Sequence, residues 1–295
     1  MIVDVRARLE GAATVDGIHV AYQVFGDQPR ALLLLPPWSI CHSAVWRHQV
    51  QRLAERRTVV TFDGRGNGAS DRPLGPSNYT DEVSAADALA VLDAAGIDEA
   101  AIACVSGAAR VGLILAARHG DRVPAAIFVA PSLPITPAIP EFSHAVTVFD
   151  EPQEAYEGWL KFNRHYWQQD WPDFLAFFMG RCFTEADSAI EISEYVEMGR
   201  YTTADVITAT ADAPGLGPAE IVDLAAAVRS PTLVIHGAAD AVSPVERGQE
   251  LARLTRGELV VLPASGHQPQ YRNPELVNPT LLDFLNRHHR GRPHG

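Results

Sequence analysis

The stretch Ala101-Ile-Ala-Cys-Val-Ser-Gly-Ala-Ala-Arg110 decides how this chain is read. A short apolar run stops at a serine among small residues, and an apolar helical pattern over residues 108–119 follows it. A buried strand that turns sharply into a helix needs small residues at the turn, because the two backbones approach closely there. The same turn lifts one side chain clear of the fold. Cys104 and Ala108 stand two positions either side of Ser106, and Gly107 follows it directly. A serine hydroxyl is a poor nucleophile at neutral pH. It needs a base within hydrogen-bond reach and a carboxylate to orient that base.

Both partners occur downstream in similar settings. Asp240 lies in Leu233-Val-Ile-His-Gly-Ala-Ala-Asp-Ala-Val-Ser-Pro244, an apolar strand followed by a glycine turn. His267 lies in Val261-Leu-Pro-Ala-Ser-Gly-His-Gln-Pro269, in a loop after the last predicted strand. Each residue has an ordinary reading by itself: a serine between small neighbours, a turn-forming aspartate, a solvated loop histidine. Their joint placement at strand ends, in the order nucleophile, acid, base, makes Ser106, Asp240 and His267 the candidate catalytic residues. Gly107, at the positive end of the helix behind Ser106, is expected to donate its N–H to an oxyanion. A second donor is expected from Pro36-Pro-Trp-Ser-Ile-Cys-His42; Pro37 has no N–H, so Trp38 is the candidate.

Working outward, strands are expected within 13–35, broken at Asp16-Gly17 and Gly26-Asp27, and at 59–63, 101–105, 125–130, 232–236 and 258–262. Helical periodicity runs through 44–56, 81–95, 245–255 and 275–288. Such alternation predicts a mostly parallel sheet covered on both faces. The alternation is interrupted over about 134–225, where aromatic residues cluster at helical spacing; a helical cap over the carboxyl ends of the strands is expected there. Part of that aromatic set would be the cap's own core, and Trp159, Tyr166, Trp167 and Phe178 are the candidates for an apolar substrate wall. Other chemistry-bearing residues carry blander readings: His236 as a structural polar residue, His42 as a loop residue, Cys104 as a small buried residue, and Cys41 as a second-choice thiol.

The 295 residues are 47% hydrophobic, enough for a large core, and the formal charge is −12. That charge argues against nucleic acid and anionic membranes as partners. Three widely spaced cysteines form no zinc or CxxC pattern and imply no disulfide framework. Residues 1–10 show no apolar leader core, and no run approaches a membrane span, so a cytoplasmic location is expected. Asn78-Tyr79-Thr80 is read as a surface turn, Asp63 to Pro73 as a tight loop tied by Asp–Arg pairing, and Arg287 to Gly295 as a frayed tail.

From about residue 13 to 288 the chain resembles the α/β-hydrolase superfamily. The resemblance is carried by Phe62-Asp-Gly-Arg-Gly-Asn-Gly-Ala-Ser-Asp71, the turn at Ser106, Gly237-Ala-Ala-Asp240 with Pro244, and Gly266-His267. It implies a mostly parallel eight-stranded sheet with helices on both faces and a helical cap after the sixth strand, with core segments 1–133 and 226–295 around a cap at 134–225. Leu32 to Ser43 and Thr61 to Gly68 look like a bacterial subgroup whose hydrolase domain is sometimes fused to a nucleotide-cyclase domain, of which these residues carry nothing. Four positions depart from the commoner pattern: Pro36-Pro37 replaces His-Gly in the oxyanion loop, and Cys104 and Ala108 replace the glycines around the serine. A serine at 106, where dehalogenases and epoxide hydrolases carry aspartate, argues against those chemistries.

The expected activity is hydrolysis of a small to medium, fairly apolar carboxylic ester or lactone through an acyl-enzyme, with no metal or organic cofactor. The expected partner is a small-molecule substrate, with a homodimer left open. The same residues suit a C–C bond hydrolase, a thioesterase or a non-hydrolytic tailoring enzyme, and an idle triad under a cap would suit a ligand sensor.

Overall fold

A computed structural model describes residues 6–289. Residues 1–5, read above for a leader, and 290–295 of the tail lie outside them. The elements run β1 (Leu9–Val15), β2 (Ile18–Phe25), β3 (Ala31–Leu35), α1 (Arg47–Leu53), β4 (Thr58–Phe62), α2 (Asp81–Ala94), β5 (Ala100–Val105), α3 (Ala109–Arg118) and β6 (Ala126–Val129). Six helices follow: α4 (Pro140–Thr147), α5 (Arg164–Gln169), α6 (Trp171–Cys182), α7 (Ala189–Gly199), α8 (Ala204–Asp212) and α9 (Pro218–Ala227). The chain ends with β7 (Thr232–Gly237), α10 (Val245–Thr255), β8 (Glu258–Leu262), α11 (Pro269–Arg272) and α12 (Pro274–His288).

The eight strands form one sheet in the order β1-β2-β4-β3-β5-β6-β7-β8. β2 is antiparallel to both β1 and β4, and the other neighbours pair in parallel. The central strands are apolar throughout because both faces are covered. Leu33, Leu35, Ile102 and Cys104 face one cluster with α2, α3, α9 and α10. Leu32, Leu34, Ala103 and Val105 face the other, with α1, α12 and the aromatic residues of α5 and α6. The parallel order brings the carboxyl ends of β5, β7 and β8 to one sheet edge, which is where Ser106, Asp240 and His267 leave their strands.

Three details differ from the sequence expectations. The helix expected over 44–56 begins as a 3-10 turn, Ser43–Trp46, and becomes α-helical only from Arg47. The Asp63–Pro73 run is tied down, but Arg65 pairs with Asp87 on α2, with N···O distances of 2.7 and 2.8 Å, rather than within the run. Asp63 instead accepts the N–H groups of Ser43 and Ala69. The start of the tail is held rather than frayed: Arg287 pairs with Glu258 at 2.6 Å, and His289 is buried with Nδ1 accepting from Arg57 at 3.3 Å. Among the described residues no helix is long and apolar enough to cross a membrane.

Candidate active site

Ser106 sits at the end of β5 with φ of +58°, the left-handed region that costs a non-glycine residue on the order of 1–3 kcal/mol. It opens the 3-10 turn Ser106–Ala108 that leads into α3. The strain is held because α3 is pinned against β5: a Cβ on Gly112 would lie 2.3 Å from Cys104 Sγ. The close approach expected at the turn is thus met one helical turn later by Gly112, and Cys104 is the buried contact surface. Burial pushes the Cys104 thiol far up, as it does that of Cys41, and neither is a nucleophile in this state.

His267 is brought to Ser106 by its loop. Its N–H donates to Cys182 O (3.0 Å) at the end of α6, the Gly266 N–H donates to Glu185 Oε1 (2.7 Å), and the Ala239 N–H donates to Ser265 O (3.0 Å). The ring is about 1% exposed. Nε2 lies 2.8 Å from Ser106 Oγ and Nδ1 lies 2.7 Å from Asp240 Oδ2. With Nδ1–H donating to the carboxylate, the Nε2 lone pair faces the serine O–H, the arrangement in which an imidazole can take the proton of a hydroxyl.

The Asp240 side chain is fully buried. Oδ1 accepts the N–H groups of Val242 and Ser243, both at 2.8 Å. Oδ2 accepts from His267 and from a second imidazole, His236 Nε2 at 3.1 Å. Burial alone would push this carboxyl up; the charges and hydrogen bonds of His267 and His236 outweigh it and hold it well below the usual carboxylate range. His236 Nε2 also lies 2.9 Å from Ser243 O, so both neighbours are acceptors and the proton resides on Nε2. Its Nδ1 is buried without a partner. Sequence reading left His236 as a structural residue; the structure makes it the second donor on the acid. The available signal was its place four residues before Asp240 across a single glycine turn.

Trp38 leaves the loop after β3 with its N–H free of any protein acceptor among the described residues. Its indole Nε1–H donates to Thr210 Oγ1 on α8 at 2.6 Å, and the Thr210 hydroxyl donates onward to Ile207 O at 2.7 Å. The Trp38 ring packs on Phe162, Trp167 and Phe178 with centroids 5.8–6.1 Å away. The four aromatic candidates divide. Trp167 is fully enclosed by Phe149, Phe162 and Phe174, and Tyr166 stacks on Tyr156 while donating to Asp173; both face the interior of the inserted helices rather than open space. Phe178 faces Trp38. Trp159 lines a cavity of about 680 Å³ with Ile139, Phe177 and Ala241, the residue after Asp240. A larger cavity, about 950 Å³, lies against β2 and β4 and touches none of Ser106, Asp240 and His267. His42 is also apart from them, within 3.9 Å of Asp63 and edge-on to Tyr201. Among the described residues no group of three or more His, Cys, Asp and Glu side chains is arranged to hold a metal ion.

A family model described as the alpha/beta hydrolase fold matches residues 31–274. A protein of Caulobacter segnis named as a carbamate hydrolase is 38% identical over 112 residues, 37% of this chain and 41% of the relative, so the match spans about two fifths of that protein. A Bacillus subtilis protein named for the AB hydrolase superfamily is 26% identical over 267 residues, covering 87% of this chain and 92% of the relative. A solved thermophilic esterase from Thermogutta terrifontis superposes with a TM-score of 0.77 at 22% identity, covering 96% of this chain and all of that one, which is likeness of fold.

Proposed function

This chain belongs to the α/β-hydrolase fold family, and from that premise we propose that it is a serine hydrolase cleaving a small to medium carboxylic ester or lactone. The observation that carries the reading is the unbroken line Ser106 Oγ–His267 Nε2 and His267 Nδ1–Asp240 Oδ2, at 2.8 and 2.7 Å, ending on a buried carboxylate. Ser106 Oγ attacks the carbonyl carbon while its proton passes to His267 Nε2. The tetrahedral oxyanion is met by the N–H groups of Gly107 and Trp38, and collapse returns the proton to the leaving alkoxide. A water then gives a proton to the same nitrogen, attacks the acyl carbon and releases the acid with Ser106 restored. Asp240 keeps its charge throughout and stabilises the imidazolium. The aromatic residues between β6 and β7 supply an apolar surface, Phe178 and Trp159 foremost.

The carbamate hydrolase likeness adds carbamates to the compounds worth testing, since their carbonyl is open to the same attack. Release of p-nitrophenol from acetyl to octanoyl esters tests the reading. The expected result is turnover in the wild type that falls by about 10⁴-fold or more in Ser106→Ala. Turnover that survives the substitution would overturn it.

A further inference from the structure

Arg110 stands beside the serine turn, and neither it nor Arg247, close enough to oppose its charge, has a carboxylate partner among the described residues. Arg110 is the second residue of α3 and Arg247 the third of α10, so both lie in first turns, at the positive ends of their helices. A cation there is on the electrostatically unfavourable end. Arg247 is only about 6% exposed. Neither guanidinium has a carboxylate within 4.0 Å or a hydrogen-bond acceptor among the described residues, and the Nε of each is buried without a partner. Arg65, Arg122, Arg164, Arg253 and Arg287 all have carboxylate partners at 2.5–2.7 Å.

The two cations are also close enough to oppose each other: burial lowers the Arg247 pKa first and the positive charge of Arg110 lowers it further. Two acids are felt nearby. The carboxylate of Asp240 is saturated by the four donors described above. Asp81 interacts with Arg110 at longer range, and its Oδ2 accepts the Leu216 N–H at 3.1 Å. That leaves a pair of like charges, Arg247 buried and Arg110 half-buried, each in the first turn of its helix, with no carboxylate within 4.0 Å among the described residues.

Their position gives the pair a use. Gly107 has no side chain, and the one atom that a Cβ there would meet within 4 Å is Arg110 Nη1, at 3.8 Å. The space over the expected oxyanion donor is therefore open and walled by a guanidinium. We propose that Arg110 and Arg247 form an anion subsite beside the Ser106–Gly107 turn that takes a carboxylate carried by the acyl part of the substrate. This rests on the ester or lactone reading above and narrows it to a substrate with one acidic end, toward the arginines, and one apolar part, toward the inserted helices. A carboxylate there would relieve the repulsion and the unfavourable helix-end placement together, and a guanidinium fork suits its planar geometry.

The experiment compares the mono-p-nitrophenyl ester of glutaric acid with the p-nitrophenyl ester of 5-methylhexanoic acid, an isopropyl group replacing the carboxylate at equal chain length. The wild type is expected to favour the acidic ester in kcat/KM by about tenfold or more, and Arg110→Gln or Arg247→Gln to bring the ratio toward one. A wild-type ratio near one, or a ratio that persists in both variants, overturns the proposal. Calorimetric titration of Ser106→Ala with glutarate, and separately with inorganic phosphate, reads the subsite without turnover. Glutarate binding lost on adding Arg110→Gln supports the subsite even where neither ester is cleaved, in which case the ester reading fails alone. Glutarate binding unaffected by Arg110→Gln, or binding of phosphate but not glutarate, overturns it. Arg110 is only partly buried, so its variant keeps the test decisive should Arg247→Gln fail to fold.

Discussion

The sheet edge that carries Ser106, Asp240 and His267 and the helices inserted between β6 and β7 are held by different forces. At the sheet edge the aligned side chains are held by directional partners: Asp240 accepts four hydrogen bonds of 2.7–3.1 Å, and His267 is fixed by its backbone as well as by both ring nitrogens. The inserted helices are organised by rings. Trp38, Phe149, Phe162, Trp167, Phe174 and Phe178 make mostly tilted and edge-on contacts with centroids 5.0–6.2 Å apart. Hydrogen bonds weaken steeply with misalignment, whereas apolar rings tolerate sliding. The aligned polar groups are therefore fixed in place, while the aromatic packing of the inserted helices can change shape at small cost.

That contrast can be broken or sharpened by substitution. The largest effect is expected from Trp167→Ala, which removes a fully enclosed ring of the insertion and should lower stability by about 3–5 kcal/mol in urea unfolding. Tryptophan fluorescence and far-ultraviolet circular dichroism should then show the insertion loosening before the sheet. Coincident transitions would mean that the two regions form one cooperative unit.

His236→Leu comes next, on the directional side. Loss of the second donor leaves more negative charge on Asp240 Oδ2, facing His267. The imidazolium then forms more readily, so the acidic limb of the kcat/KM profile should move to higher pH by about half to one unit. A loss of about tenfold or more in kcat is expected with it. An unmoved acidic limb would show that this bond does not reach the working carboxylate.

Thr210→Val tests the hydrogen bond by which α8 holds Trp38, the candidate oxyanion donor. The Trp38 Nε1–H loses its acceptor, and kcat should fall by about three- to tenfold with KM little changed. Thr210→Ser should restore it. An effect on KM alone would place Trp38 on the substrate side only.

The smallest effect concerns the core without the insertion. Burial first, and then the charges of Arg57 and Arg30, push His289 down to about 4. Its unfolded value is near 6.5, so the unfolded chain takes up the proton first. The stabilising contribution is complete above about pH 6.5 and is lost as pH falls toward 4. His289→Gln should flatten the difference in unfolding free energy between pH 7 and pH 5 by on the order of 1 kcal/mol.

What could be read from the chain follows from the same contrast. Strands buried on both faces leave continuous apolar runs, so β3, β4, β5, β6 and β7 were legible. The first half of β1 was not: Leu9–Ala12 are exposed and carry no pattern, and β1 is joined only to β2. Ser106, Asp240 and His267 were legible because each follows a strand and the three come in a diagnostic order. His236 was not, because its role depends on a turn that folds it back onto Asp240. The Trp38–Thr210 bond joins residues 172 positions apart, and no local pattern announces it. The missing partners of Arg110 and Arg247 are a property of space alone; in the sequence both look like ordinary surface arginines.

The inserted segment meets the loops of Trp38, Asp240 and His267 through bonds that include Thr210 to the Trp38 indole, Cys182 O to the His267 N–H, Glu185 to the Gly266 N–H and the Thr184 hydroxyl to Ala239 O. This makes the insertion a module with a small set of defined connectors. A chimaera that grafts foreign helices between β6 and β7 is expected to keep the site loops in place only where hydroxyls, a carboxylate and a backbone carbonyl arrive at those points. Libraries of such grafts are therefore best built with Thr210, Thr184, Glu185 and the Cys182–Phe183 backbone held constant and the aromatic positions left to vary.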